Sequence, residues 1–233
     1  MKEAIENLLP YEKNLFFALN GSDSIFLDNM FWTITGRFIW IPVILFLLFM
    51  FFYKVPKKEG ILATICFILI FVFCDQVSSS IFKPFFERLR PTHHPDFQNY
   101  VDIVNGYKGG LYGFVSSHAA NAFGVAVFLS LLFRNKLLII SSLLWATINS
   151  YSRIYLGVHF VSDVIGGMLV GSIIALLIYI LYAWIRVKYF HIEKQYKYVT
   201  VYPIKTGKDI GLFILLYMAI VIIFSPFLAT LVH

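Results

Sequence analysis

Long apolar runs separated by short polar segments set the pattern of this chain. Six runs approach the about 20 residues that a helix needs to cross a bilayer: Phe31 to Tyr53, Ile61 to Ile81, Phe114 to Phe133, Leu137 to Tyr151, Phe160 to Ile185 and Ile210 to Val232. The fourth is the shortest, and its apolar character continues to Tyr155. Pro42 and Pro226 fall inside the first and last runs, where neighbouring helices can re-satisfy the freed carbonyls, so kinks rather than breaks are expected there. Ahead of the first run, Met1 to Asn20 mixes Glu3, Glu6, Glu12 and Lys13 with Leu8, Leu9, Leu15, Phe16 and Phe17. That mixture predicts an amphipathic interfacial helix and not a cleavable signal peptide. No internal repeat or low-complexity linker divides the chain. The expected fold is all-α: a polytopic membrane protein with six transmembrane helices and an N-terminal interfacial helix, forming one domain over residues 1–233.

Composition strengthens the membrane reading. The chain is 59% hydrophobic and 18% aromatic with only 14% charged residues, and its mean hydropathy is +0.77. Those values exclude a disordered chain, a coiled coil and a soluble enzyme with a single buried core. The net charge of +6 needs no nucleic-acid partner, because Lys and Arg in a bundle set orientation and meet anionic headgroups. Cys66 and Cys74 share one apolar run with no further thiol to pair with, and are read as packing residues.

With six spans the loops alternate sides, and the cations divide eleven to eight. The larger group is Lys54, Lys57, Lys58, Arg134, Lys136, Arg186, Lys188, Lys194, Lys197, Lys205 and Lys208, and the smaller is Lys2, Lys13, Arg37, Lys83, Arg88, Arg90, Lys108 and Arg153. The larger group is expected to be cytoplasmic, so both termini and the loop from Phe82 to Gly113 face outward.

Three polar clusters interrupt the apolar runs, all on the expected outer side. In the first, Lys83, Arg88 and Arg90 crowd together before Pro91, with Glu87 as the nearby acid. Such cations suit phosphate, and headgroup anchoring is the competing reading, assigned to Arg88 and Lys108. In the second, Ser116, Ser117 and His118 precede an apolar run where a helix N-cap belongs. Free N–H groups and a positive dipole end there favour an anion, within reach of His118 as proton donor; an ordinary cap beside an interfacial histidine explains the same residues. In the third, Ser152 and Arg153 are followed by His159 and Asp163 at i and i+4. A carboxylate one turn from an imidazole can fix its tautomer and stabilise its positive form during nucleophilic attack, or simply staple two helices. His93, His94 and Asp96 are read as a polar loop tip in preference to a metal group, and Asp75 as a structural acid near the end of the second span.

The order K-x6-R-P, S-x-H, then S-R-x5-H-x3-D resembles the type 2 phosphatidic acid phosphatase superfamily, with the motif core between residues 83 and 163. The resemblance implies a metal-independent membrane phosphatase without cofactors. It implies His159 as nucleophile, Asp163 as its orienting partner and His118 as general acid, with Lys83, Arg90, Ser116, Ser117 and Arg153 around the phosphate. The second motif departs from the usual P-S-G-H, since Val115 and Ser117 stand in place of Pro and Gly. Removing the three phosphate-ligand candidates Lys83, Arg90 and Arg153 from the charge count leaves eleven against five.

The expected substrate is a lipid phosphate or diphosphate in the bilayer: undecaprenyl diphosphate, phosphatidylglycerophosphate, phosphatidic acid or a lipid A phosphate. The expected location is a bacterial inner membrane with the site on the periplasmic side. A non-catalytic lipid-phosphate binding or transport protein that kept the anion site is the competing class. The sequence assigns no oligomeric state.

Overall fold

The computed structural model describes residues 2–36 and 38–231. The start of the N-terminal segment at Met1, the Arg37 cation and the end of the sixth apolar run at Val232 fall outside the described residues. Among the described residues the secondary structure is helical, apart from one isolated antiparallel bridge between Leu89 and Tyr112. The helices are α1 (Lys2–Glu6), α2 (Leu9–Leu19), α3 (Ile25–Ile34), α4 (Ile41–Phe52), α5 (Lys57–Gln76), α6 (Lys83–Phe86), α7 (Ser117–Phe133), α8 (Lys136–Tyr155), α9 (Val161–Tyr189), α10 (Ile204–Ile223) and α11 (Ser225–Leu228).

Among the described residues three helices are long and apolar enough to cross a membrane: Lys57–Phe86, Val161–Tyr189 and Ile204–Ile223. The first is α5 continued through a π-wound turn, Val77–Phe82, into α6. The wider turn delays the helical phase just before Lys83. The fourth expected span does continue to Tyr155, as α8.

The first expected span is not one helix. It is divided into α3, which ends at Ile34, and α4, which begins at Ile41, and α4 with 12 residues reaches only about 18 Å. Pro42 stands in the first turn of α4 and Pro226 in the first turn of α11. Both prolines therefore open helices instead of kinking them, since a first-turn position asks for no intrahelical N–H.

Helices α7 and α9 form the most extensive helix pair. Gly167 and Gly171, one turn apart on α9, permit it: a Cβ at Gly167 would lie 2.4 Å from the Ser116 carbonyl oxygen and one at Gly171 2.0 Å from that of Ala120. Small residues at this spacing let two backbones approach within a bundle. A shared apolar core runs through α4, α5, α7, α8, α9 and α10 and includes Cys66 and Cys74, both buried and free.

Helix α2 is not a detached surface helix. It seats Phe16, fully buried, against Phe97 and Phe160, and it buries Glu12 as well. Helices α5 and α9 are tied at the end remote from Lys83 and Asp163, where Arg186 Nε meets Glu59 Oε1 at 3.0 Å and Tyr182 donates to Glu59 Oε2 at 2.8 Å. Arg186, counted above as a loop cation, is thus a buried ion-pair partner.

Candidate functional site

Ser116 is the N-cap of α7, its hydroxyl accepting from the Ala119 N–H at 3.5 Å, where the sequence places a cap. Its backbone N–H donates to the Asp163 carbonyl at 2.9 Å, which joins the start of α7 to the start of α9. Asp163 is the third residue of α9, whose N-cap is Phe160. The Asp163 Oδ2 accepts the Phe160 N–H at 3.0 Å and lies 3.4 Å from His159 Nδ1. His159 itself stands just before the helix, with its N–H bonded to the Arg153 carbonyl at 3.2 Å. The i, i+4 contact therefore forms across the helix start and not along a regular turn.

The cations converge on this pair. Lys83, Arg90, Arg153 and His159 all act electrostatically on His118, which is exposed at the mouth of a cavity while His159 is buried. Lys83 Nζ donates to Ser117 Oγ at 2.9 Å, and Ser79 Oγ lies 3.3 Å from the same hydroxyl. The residue that replaces the usual glycine thus supplies an oxygen to a pocket lysine. Arg90 Nε donates to the Tyr112 carbonyl at 3.1 Å, and its Nη1 is buried without a hydrogen-bond partner. Gly109, at φ +68°, leaves the room this guanidinium occupies, since a Cβ there would lie 2.4 Å from Arg90 Nη1. Arg153 donates to Thr35 Oγ1 and, at 3.3 Å, to Tyr107 Oη.

Burial first, and then the guanidiniums of Arg90 and Arg153, hold the His159 imidazole well below its usual range. The ring is neutral at ordinary pH. Burial, with Arg153 beside it, pushes the Arg90 guanidinium down to about 10, so it stays charged. A neutral imidazole braced by a carboxylate and facing several cations can attack a phosphorus centre, because the cations neutralise the charge that builds on the equatorial oxygens.

Arg88 departs from its assigned anchoring role. It is fully buried, paired with Asp163 Oδ1 at 2.7 Å and with Glu12 Oε1 at 2.5 Å. Neither Arg88 nor Glu12 carried a motif signal. Glu87, the acid expected to offset the cations, is exposed at the end of α6. Lys108 is exposed. Asp75 is exposed and takes the Ser79 hydroxyl at 3.5 Å. His94 faces Glu6 at 3.4 Å, and among the described residues no group of three or more His, Cys, Asp or Glu side chains is placed to hold a metal.

Below His118 a cavity of about 380 Å³ extends between α4, α5, α7, α8 and α10, walled by Val43, Leu47, Phe67, Val125, Leu129 and Ile214. Asn121, Ser142 and Asn149 add a few polar groups to its wall.

The sequence model of the PAP2 superfamily matches residues 61–186, which include all three motif clusters. A lipid A 4'-phosphatase of Porphyromonas gingivalis is 44% identical over 184 residues, covering 78% of this chain and 77% of that protein. One from Bacteroides thetaiotaomicron is 38% identical, covering 72% and 75%, and an undecaprenyl-diphosphatase of Sulfolobus acidocaldarius is 33% identical, covering 74% and 79%. A transmembrane PAP2-type phosphatidylglycerolphosphate phosphatase from Bacillus subtilis shares the fold, with a TM-score of 0.58 at 22% identity over 81% of this chain and 92% of that one. The apolar helices, the ordered motifs and these likenesses agree: the chain belongs to the PAP2 superfamily and is one of its membrane lipid phosphatases.

Proposed function

We propose that this protein removes the 4'-phosphate of lipid A at the outer face of the inner membrane, through a phosphohistidine on His159 and without a metal. The observation that carries the mechanism is the contact of His159 Nδ1 with Asp163 at 3.4 Å, beside Lys83, Arg90 and Arg153. With Nδ1–H turned to the carboxylate, Nε2 keeps its lone pair and attacks phosphorus in line with the ester oxygen. The P–O bond to the sugar breaks as the P–N bond forms, and His118, which holds a proton once the bound phosphate has neutralised the cations around it, gives that proton to the departing oxygen. Water then attacks the phosphohistidine, His118 takes one of its protons, and inorganic phosphate leaves with His159 neutral again. Lys83, Arg90 and Arg153 bind the phosphate oxygens throughout, with Ser117 steadying Lys83 and Ser116 holding the N-terminus of α7 in place. The apolar cavity below His118 receives one chain of the substrate.

Two relatives named as lipid A 4'-phosphatases support this choice of substrate. The undecaprenyl-diphosphatase relative supports a second reading, a polyprenyl diphosphate in the same cavity. In both readings residues 1–233 form one membrane domain that crosses the bilayer six times, the α3–α4 region providing the first crossing. Setting aside Arg88 and Arg186, each buried in an ion pair, sharpens the charge division to ten against four and supports outward termini.

The test is phosphate release in detergent from lipid A carrying one or two phosphates and from undecaprenyl diphosphate, with and without chelator. The expected result is chelator-resistant loss of the 4'-phosphate, and a phosphoenzyme that is acid-labile and alkali-stable. Equal release by His159→Ala, or loss of activity in chelator that added metal restores, would overturn the mechanism. Exclusive cleavage of the diphosphate would select the second reading.

A further inference from the structure

We infer that Arg88 and Glu12 are positioning residues for the reaction, and that helix α2 brings to the active site a counter-charge that sets how strongly Asp163 supports His159. This rests on the reading of His159 as nucleophile. Arg88 is fully buried, and its two terminal nitrogens are divided between two carboxylates. Its Nη1 donates to Asp163 Oδ1 at 2.7 Å and Ser162 Oγ at 2.6 Å, its Nη2 donates to Glu12 Oε1 at 2.5 Å, and the guanidinium lies 4.5 Å from the centre of the Phe160 ring.

Glu12 is bound as firmly. Its Oε2 accepts the Ser162 backbone N–H at 2.8 Å and its Oε1 the Ser162 hydroxyl at 2.7 Å. That N–H belongs to the first turn of α9, where no intrahelical acceptor is available. A side chain 150 positions earlier in the chain therefore caps the helix that carries Asp163. Glu12 also lies outside the residues 61–186 that the family's sequence model matches.

The consequence is electrostatic. A cation and hydrogen bonds favour the charged form of a buried carboxylate, and Arg88 with the Phe160 N–H supplies both to Asp163 against the cost of its burial. Arg88 paired with Asp163 alone would add a full positive charge to a site that already holds Lys83, Arg90 and Arg153. Glu12 offsets that charge. Asp163 Oδ2 is then free to stabilise the positive ring that develops as His159 attacks.

The test is the pH dependence of kcat/KM in detergent for the full-length protein and for Glu12→Gln, Glu12→Asp and Arg88→Lys. The charged and titratable groups facing His159 are Lys83 on α6, Arg90 in the connecting loop, His118 on α7, Arg153 on α8 and Asp163 on α9, with Tyr107 beside Arg90 and Arg153, and Arg88 and Glu12 behind Asp163. All but one are kept in each variant. Glu12→Gln removes a negative charge, so His159 binds a proton less readily. The acid limb then moves to lower pH by on the order of half a pH unit, with kcat reduced and KM little changed. Glu12→Asp restores the charge and returns the limb toward its wild-type position. Arg88→Lys keeps the charge but loses the fork, so kcat falls about tenfold or more with the limb in place.

An acid limb unmoved or raised by Glu12→Gln overturns the inference. So does a rise in KM at constant kcat in Arg88→Lys, which would make Arg88 a ligand of the substrate phosphate. If His159→Ala retains activity, the underlying reading fails. If His159 is essential and the limb does not move, only the positioning role fails.

Discussion

His118 and His159 stand beside the same cations, yet one is exposed at the cavity mouth and the other is buried against Asp163. In the proposed mechanism that difference separates a group that meets the leaving oxygen from one that attacks phosphorus. His118→Ala is expected to lower the rate on a lipid phosphate by about 10²–10⁴-fold, and to cost much less on an aryl phosphate whose phenolate leaves without a proton. Parallel kcat measurements on the two substrates check this, and equal losses on both would remove His118 from the proton-donor role. The motif residues were legible because a polar side chain beside an apolar run needs a reason to be there. Arg88 was not legible, since its partner Glu12 lies 76 positions away. Thr35, which accepts from Arg153 across 118 positions, was hidden for the same reason. No local pattern encodes pairings that only the folded chain creates.

Helices α7 and α9 bring the second and third motifs together, so the closeness of their contact is a functional quantity. Gly171→Ala tests it. Alanine is favoured over glycine inside a helix by about 1 kcal/mol, but its Cβ would lie 2.0 Å from the Ala120 carbonyl oxygen, a backbone atom that moves only if the helices separate. Overpacking costs typically about 1–3 kcal/mol, so the clash wins and the thermal unfolding midpoint in detergent falls. Gly110→Ala, with nothing within 4 Å of the added Cβ, is expected to leave the midpoint unchanged. The helices themselves were legible from hydrophobicity, including the extension of α8 to Tyr155. The break between Ile34 and Ile41 had a signal in the sequence, Thr35-Gly36-Arg37, but Phe38, Ile39 and Trp40 follow at once and outweigh it in a reading by hydropathy. Pro42 and Pro226 mark helix starts, and hydropathy alone gives a proline inside a run and a proline at its edge the same appearance.

Across the molecule, the site gathers at one end of the bundle and the Glu59–Arg186 pair closes the other. The expected orientation makes Lys108 a reporter, because it is exposed in the loop that carries Arg90. A Lys108→Cys variant should react with a membrane-impermeant maleimide on intact spheroplasts, with little background from the buried Cys66 and Cys74. Labelling only after lysis would place the site on the cytoplasmic face. The charge division pointed in this direction before any contact was known, and it improved once Arg88 and Arg186 proved to be internal pairs. The buried and half-buried charges around His159 are Lys83, Arg88, Arg90 and Arg153 against Glu12 and Asp163, a surplus of two positive charges. A phosphate group carries about −1.5 to −2 at pH 7, so the site is near neutrality when filled, by substrate and by inorganic phosphate alike. Under the proposed mechanism the balance that recruits the lipid also retains the product, so inhibition by added inorganic phosphate is the expected outcome in a rate assay.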